Sequence, residues 1–269
     1  MKKTYHLCLS AGDEIMFRDT EDYNRGCNCL AIALHQTDST GLCESFMSTH
    51  THQMLQTNTP AGFMHCFRKS YSMYFNNKYQ RTGKLGERHH FCMEINGYHH
   101  LIAAMSYTMR NAVHHGIAPI PYSYPHCSAN AIFRKEMGKH VDDGLLPEKS
   151  YYRHISRRAS VPSNYKMNKN GVFIRESVLD IPQVENLFVT PRAFNYYMSR
   201  KSSEEWETEQ QKDKNNLPPI SLKTIESGYD LAKMLINENG KADYRRPSDM
   251  DVCSLIDKTL LPRYGKASV

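Results

Sequence analysis

His50-Thr51-His52 sets two imidazoles two residues apart in a run, His50 to Thr57, whose composition reads as a β-strand. Residues i and i+2 of a strand project from one face, so both rings can approach a single divalent cation. Two imidazoles are an incomplete set for most metals, which need at least a third ligand. The spacing is weak by itself: 14 histidines in this chain would give about 0.7 such pairs by chance. Two ordinary surface histidines are the plain alternative. Tyr107 and Asn111 add context, because residues four apart share one face of a helix. His114 continues that face one turn later, and His100 precedes it. The amide oxygen of Asn111 is the hard ligand that Mg²⁺ or Mn²⁺ prefers beside imidazole. A phenol, with a pKa near 10, is more acidic than an aliphatic hydroxyl and can attack a phosphate whose charge a cation neutralises. The structural alternative makes Tyr107 a core-edge aromatic and Asn111 a polar residue near the helix end.

Short strands and long helices must position these groups. Thr4–Ser10 reads as a strand, and Thr20 is a candidate N-cap before a helix with Tyr23, Cys27, Leu30, Ala31 and Leu34 at helical spacing. Gly41–Phe46 and His50–Thr57 form two neighbouring strands around a tight turn at Met47-Ser48-Thr49. Thr59-Pro60 opens a second helix to about Lys78, with Phe63, Phe67, Tyr71 and Tyr74 along one face. Phe91–Ile95 is a further strand stopped by Asn96-Gly97, and a last helix runs from about Tyr98 to before Gly116. The order β-α-β-β-α-β plus a helix predicts an α+β, ferredoxin-like (RRM-like) split arrangement, an antiparallel sheet with helices on one face.

The chain has 269 residues, 23% of them charged, and a net charge of +6. That is enough chain for a full core, and too much apolar content for a disordered one. It has no apolar run of transmembrane length, and the stretch after Met1-Lys2-Lys3 is too short for a secretory signal. Eight cysteines without a Cys-x-x-Cys pair read as reduced thiols, and the expected location is the cytoplasm. Thirteen of the histidines precede residue 141 and seven of the cysteines precede residue 130. The texture beyond turns to Lys, Arg, Ser, Asn and Glu. The expected division is a core domain over 1–135 and a basic linker with a mostly helical extension over 136–269.

His50-Thr51-His52 followed by Tyr107-Thr108-Met109-Arg110-Asn111 resembles, in order and separation, the single-tyrosine HUH transposase superfamily, which shows a strand with His-hydrophobe-His and then a helix with Tyr and, four residues on, Asn or Gln. The likeness is to REP-associated tyrosine transposases and small insertion-sequence transposases in particular. Phe17-Arg18-Asp19 with Asp22-Tyr23 is similar to the family's approach to its first helix. Tyr74-Phe75-Asn76-Asn77-Lys78 through Arg81-Thr82-Gly83 is similar to its aromatic-Asn-basic-Gly segment. Asn111-Ala112-Val113-His114-His115-Gly116 resembles its Asn-Pro-Val-Arg-Ala-Gly, and Tyr124-Pro125-His126-Cys127-Ser128 its closing Tyr/Trp-Ser element. The resemblance spans about residues 4–133. Thr51 stands where the family usually has an aliphatic residue and Gln53 where another is common; both point to the core side of the strand. A hydroxyl there needs a partner. Ser48-Thr49 replaces the family's Pro-Asn, while Ala112 and His114 replace its Pro and Arg.

The resemblance implies Tyr107 as nucleophile and His50, His52 and Asn111 as ligands of Mg²⁺ or Mn²⁺. It implies cleavage and rejoining of hairpin-bearing single-stranded DNA through a 5′-phosphotyrosine. The family includes dimers that exchange the tyrosine helix and single-chain forms, so a homodimer is among the implied assemblies. Charge for the DNA is expected from Arg68, Lys69 and Arg81 around the second helix and from Arg134, Lys135, Arg153, Arg157 and Arg158 beyond the core. Residues 134–170 hold nine basic against four acidic side chains, interleaved with Tyr151, Tyr152 and Tyr165 as stacking platforms. Ser199–Asn216 reads as a polar linker containing Trp206, and helices are expected over 222–237 and 248–260. Two other classes stay open: a non-catalytic binder of structured single-stranded DNA or RNA, and a metal-dependent nuclease that uses water instead of Tyr107.

Overall fold

Leu7 and Leu9 alternate with His6, Cys8 and Ser10 along the first strand, and this alternation gives the sheet one apolar and one polar face. A computed structural model describes residues 2–11, 14–138 and 144–200. The expected helices over 222–237 and 248–260, with Trp206 and most of the polar tract, lie outside the described residues. Within them, β1 (Lys3–Ser10), α1 (Thr20–Gln36), β2 (Thr40–Phe46), β3 (His50–Thr57), α2 (Pro60–Lys78), β4 (Phe91–Glu94) and α3 (Tyr98–His114) follow in the expected order. The strands stand in the order β2-β3-β1-β4, and every pairing is antiparallel. That is the ferredoxin-like split arrangement.

Register sorts the side chains. Leu9 and Phe46 both pair with Thr51, and Leu7 pairs with Gln53, so these residues share the face covered by α1 and α2. Phe46 meets Phe17 at 5.4 Å and Phe67 of α2 at 6.2 Å between ring centroids. Gly26 lets α1 come this close, because a Cβ there would sit 2.6 Å from the Phe17 ring. On α2 the buried stripe is Phe63, Phe67, Tyr71 and Phe75. Tyr74 turns aside to bond Asp22. On the core side the Gln53 amide donates to Thr51 Oγ1 at 2.7 Å, which gives the Thr51 hydroxyl its partner, while Gln53 Oε1 is left without one.

Asp19, rather than Thr20, caps α1: its carboxylate accepts from the Asp22 backbone N–H at 2.9 Å. Asp22 is fully buried and accepts four bonds, from the Arg18 backbone, Tyr74, Lys78 and Tyr79. This cluster ties the start of α1 to the end of α2.

The chain beyond residue 135 continues the same core. After α4 (Arg175–Val178), the helices α5 (Ile181–Phe188) and α6 (Pro191–Ser199) send Val184, Phe188, Phe194 and Met198 into it. Residues 144–173 build a second apolar cluster against Ala31 and Ile32 on the outer side of α1. Tyr151 and Tyr165 are therefore interior residues, each 5.6 Å from the Phe173 ring, and cannot serve as the stacking platforms expected of them. Only Tyr152 of the three is exposed. The seven cysteines among the described residues form no disulfide. No helix among the described residues is long and apolar enough to cross a membrane.

Candidate active site

α3 crosses the polar face of the sheet, opposite α1 and α2. Asn96-Gly97 turns the chain into it, with Gly97 at φ +82°, and Gly116 at φ +67° follows its end. Ile102, Met105, Met109 and Ala112 form its buried stripe. The flank of that stripe carries Tyr107 and Asn111 towards β3. Tyr107 is 45% exposed and Asn111 is fully buried, so the phenol reaches solvent while the amide lies inside, its Nδ2 without a hydrogen-bond partner.

The side chains meet as their spacing requires. His50 Nε2 lies 2.9 Å from Asn111 Oδ1. An amide oxygen only accepts, so His50 carries its proton on Nε2, and Nδ1 accepts from Thr49 Oγ1 at 3.1 Å. The His52 ring stands perpendicular to His50 at 5.1 Å and perpendicular to Tyr107 at 5.5 Å. His114 lies 6.0 Å from the Tyr107 ring, on the helix face expected of it.

Two further histidines join that the spacing did not disclose. His6 on β1 bonds His52, Nε2 to Nδ1 at 2.9 Å, in a buried contact. His115 stacks edge-on against His50 at 5.2 Å. The one sequence signal for His6 is the polar phase of β1, where His6, Cys8 and Ser10 alternate with buried leucines on a central strand. The His6–His52 bond admits two tautomers. When His6 donates, the His52 proton sits on Nε2 and that atom is no ligand. When His52 donates from Nδ1, its Nε2 lone pair is free.

Burial lowers the pKa of His6 to about 4, with the charge of His100 adding to the effect. His52 is lowered to about 2 by burial first, then by His50, His6 and His115. His126, stacked on Tyr23 at 3.6 Å, is lowered by burial, then Arg175, to about 3. These imidazoles are neutral at neutral pH, the form that ligates metal. Below pH 6.5 the unfolded chain takes up protons that the folded chain refuses, so stability falls with pH. Each of the three adds to that fall between the unfolded value near 6.5 and its own lowered folded value. The urea midpoint should be flat from pH 8 to 7 and drop steeply from 6.5 to 4. His126→Phe, which keeps the stack, should shallow that drop.

The donor set fits a hard divalent cation. Bonds of about 2.1 Å at right angles place neighbouring octahedral ligands about 3.0 Å apart, and His50 Nε2 and Asn111 Oδ1 are 2.9 Å apart; to ligate, His50 would shift its proton from Nε2 to Nδ1, where Thr49 Oγ1 can accept it. Among the described residues, no three His, Cys, Asp or Glu side chains gather as a metal site. The candidate set is thus two imidazoles and an amide oxygen, which leaves open positions for water and phosphate oxygens.

The eight basic candidates are not gathered at Tyr107. Arg68 and Lys69 lie along the outer side of α2, where Arg68 donates to the Arg88 carbonyl at 3.2 Å. Arg81 is paired with Glu14 and bonds Asn76. Arg134 pairs with Glu176 at 2.6 Å, and Lys135 beside it is exposed. Arg153, Arg157 and Arg158 are exposed on the segment that packs on α1. α1 and α2 cover the sheet face away from Tyr107, so five of the eight belong to the far side of the molecule.

No family model and no curated protein matches the chain. Among solved structures it is similar to a REP-associated tyrosine transposase bound to a REP hairpin, at 11% identity and TM-score 0.44, covering 60% of this chain and 95% of that one. It is also similar to a protein from Deinococcus radiodurans R1 described as a transposase, at 12% identity and TM-score 0.32, covering 38% of this chain and 85% of that one.

Proposed function

We propose that this protein is a transposase-type DNA strand-transfer enzyme in which Tyr107 is the nucleophile and His50, His52 and Asn111 hold Mg²⁺ or Mn²⁺. The observation that carries the reading is the convergence of α3 on β3. Tyr107 and Asn111, one turn apart, meet the two histidines of one strand face, with 2.9 Å between His50 and Asn111. The substrate is the one implied by the sequence resemblance, single-stranded DNA that carries a hairpin.

A bound divalent cation would supply charge neutralisation at the phosphate and orient its oxygens. The protein does the rest. Tyr107 Oη attacks phosphorus in line, the P–O3′ bond breaks, and the phenolic proton is transferred overall to the leaving 3′ oxygen. The products are a 5′-phosphotyrosine and a free 3′-OH. The phosphodiester count is conserved, so a 3′-OH from another strand reverses the step and joins the DNA.

The test uses a pool of 3′-labelled, hairpin-bearing single strands with randomised flanks, incubated with the full chain and Mn²⁺ and run on denaturing gels. A labelled protein adduct whose nucleotide maps to Tyr107 by peptide mass spectrometry is the expected result. Free fragments without an adduct would assign a water-using nuclease. Retained binding without cleavage would assign a non-catalytic nucleic-acid binder.

His6 gives a prediction that needs no DNA. His6→Phe removes the acceptor that holds the His52 proton on Nδ1, and should weaken Mn²⁺ binding by about 10–100-fold in calorimetry. His6→Gln, which still offers an acceptor, should recover part of the loss.

A further inference from the structure

Beside the candidate nucleophile, between β1 and β4 on one side and α3 on the other, lies a cavity of about 620 Å³. Its volume is in the range of about 300–1,000 Å³ typical of small-ligand sites. Phe91 and Met93 pair in register with Cys8 and His6, so they stand on the polar face of the sheet and form the outer wall. Ala103 and Ala104 of α3 form the opposite wall, where their short side chains leave the space open. Tyr107, His6 and His52 are shared with the site already described.

Three observations define the occupant. Phe91 is 50% exposed although it sits on a strand, so a flat aromatic face is offered to whatever enters. No Asp, Glu, Lys or Arg lines the cavity, so nothing in it compensates a phosphate or a charged side chain. The His6 ring touches both Phe91, at 5.5 Å, and Tyr107, at 6.2 Å, so the aromatic wall and the nucleophile flank one side chain. Any phosphodiester presented to Tyr107 carries a nucleotide on each side, one sugar away. An uncharged π-surface is what such a neighbour can use, because single-stranded bases bind by stacking on aromatic side chains.

We infer that this cavity receives the base of a nucleotide flanking the scissile phosphate, stacked on Phe91 and enclosed by Met93, Ala103 and Ala104. The inference rests on the strand-transfer reading for its placement beside Tyr107. It makes Phe91 a specificity-determining residue of that site. His100, an exposed residue of α3, adds to the lining an imidazole that can hydrogen-bond a base edge.

The test separates binding from chemistry. The strand retained most tightly from the pool by Tyr107→Phe, which leaves the DNA uncut, is resynthesised with 2-aminopurine at each position in turn. One position is expected to be quenched on binding. Phe91→Ala should abolish that quenching and weaken binding about 10-fold; Phe91→Trp should restore both. Ala103→Leu, at an exposed helix position, should abolish the quenching by filling the cavity without touching Phe91. The inference is overturned if no position is quenched in the bound strand, or if quenching survives Phe91→Ala. A Tyr107 adduct without Phe91-dependent quenching overturns the base site and keeps the strand-transfer reading. Phe91-dependent quenching without an adduct keeps the base site and overturns the chemistry. Absence of binding to any strand of the pool overturns both.

Discussion

Tyr107→Phe is expected to bind hairpin DNA as the unmodified chain does and to lose covalent adduct formation by more than about 10³-fold, since removing a nucleophile typically costs up to about 10⁶ in rate. The substitution deletes one oxygen. The ring keeps its edge contacts with His52 and His6, and Tyr107 is nearly half exposed, so the change is made at the surface. Urea denaturation should show a stability unchanged within about 0.5 kcal/mol, as for other surface substitutions. The informative measurement is the end group of any residual product. A trace of 5′-phosphate would report water acting in place of the phenol. An adduct of undiminished yield would remove Tyr107 from the chemistry altogether.

The second large effect is structural. Asp22→Ala should destabilise the fold by about 3–5 kcal/mol, the cost of removing one partner from a buried ionic cluster. The carboxylate accepts from the Arg18 backbone at 2.9 Å, Tyr74 at 2.8 Å, Tyr79 at 2.8 Å and Lys78 at 2.9 Å, and has no exposed surface. Alanine leaves two phenols and an ammonium facing a void. Asp19→Ala should cost much less, because Asp19 is half exposed and Lys78 would still hold Asp22. Urea midpoints for the two variants, measured side by side, check the ranking. Equal midpoints would place the strength of the cluster in Asp19 instead.

The same cluster shows what the sequence could and could not convey. Phe17 to Tyr23 and Tyr74 to Arg81 are recognisable stretches, but their partnership is not written in either. It exists because α1 and α2 lie side by side on one sheet face, and only the fold brings Asp22 to Tyr74 and Lys78. Strand and helix positions were legible to within a residue or two, because period-2 alternation and the Pro60 and Gly97 breaks are local signals. His50, His52, Tyr107 and Asn111 were legible for the same reason, since i+2 on a strand and i+4 on a helix fix a common face. His6 and Phe91 were not, because cross-strand register joins them to the site and no spacing along the chain encodes register. The tyrosines of the basic segment misled for a related reason. Their composition suggested solvent, yet Ala31 and Ile32 leave an apolar strip on α1 that Tyr151 and Tyr165 cover.

That cover has a temporal side. Asn28 on α1 donates to the Gly171 carbonyl and accepts from the Phe173 backbone, across 143 and 145 residues of chain. At about 5–20 residues per second of synthesis, the helix waits roughly 7–30 s for its outer lining to be made. During that interval the apolar strip of α1 and the side chain of Asn28 face whatever surrounds the nascent chain. Chaperone dependence in this protein should therefore concentrate in the window before residue 173 emerges, and a ribosome-stalled chain ending earlier should show α1 open to labelling or capture.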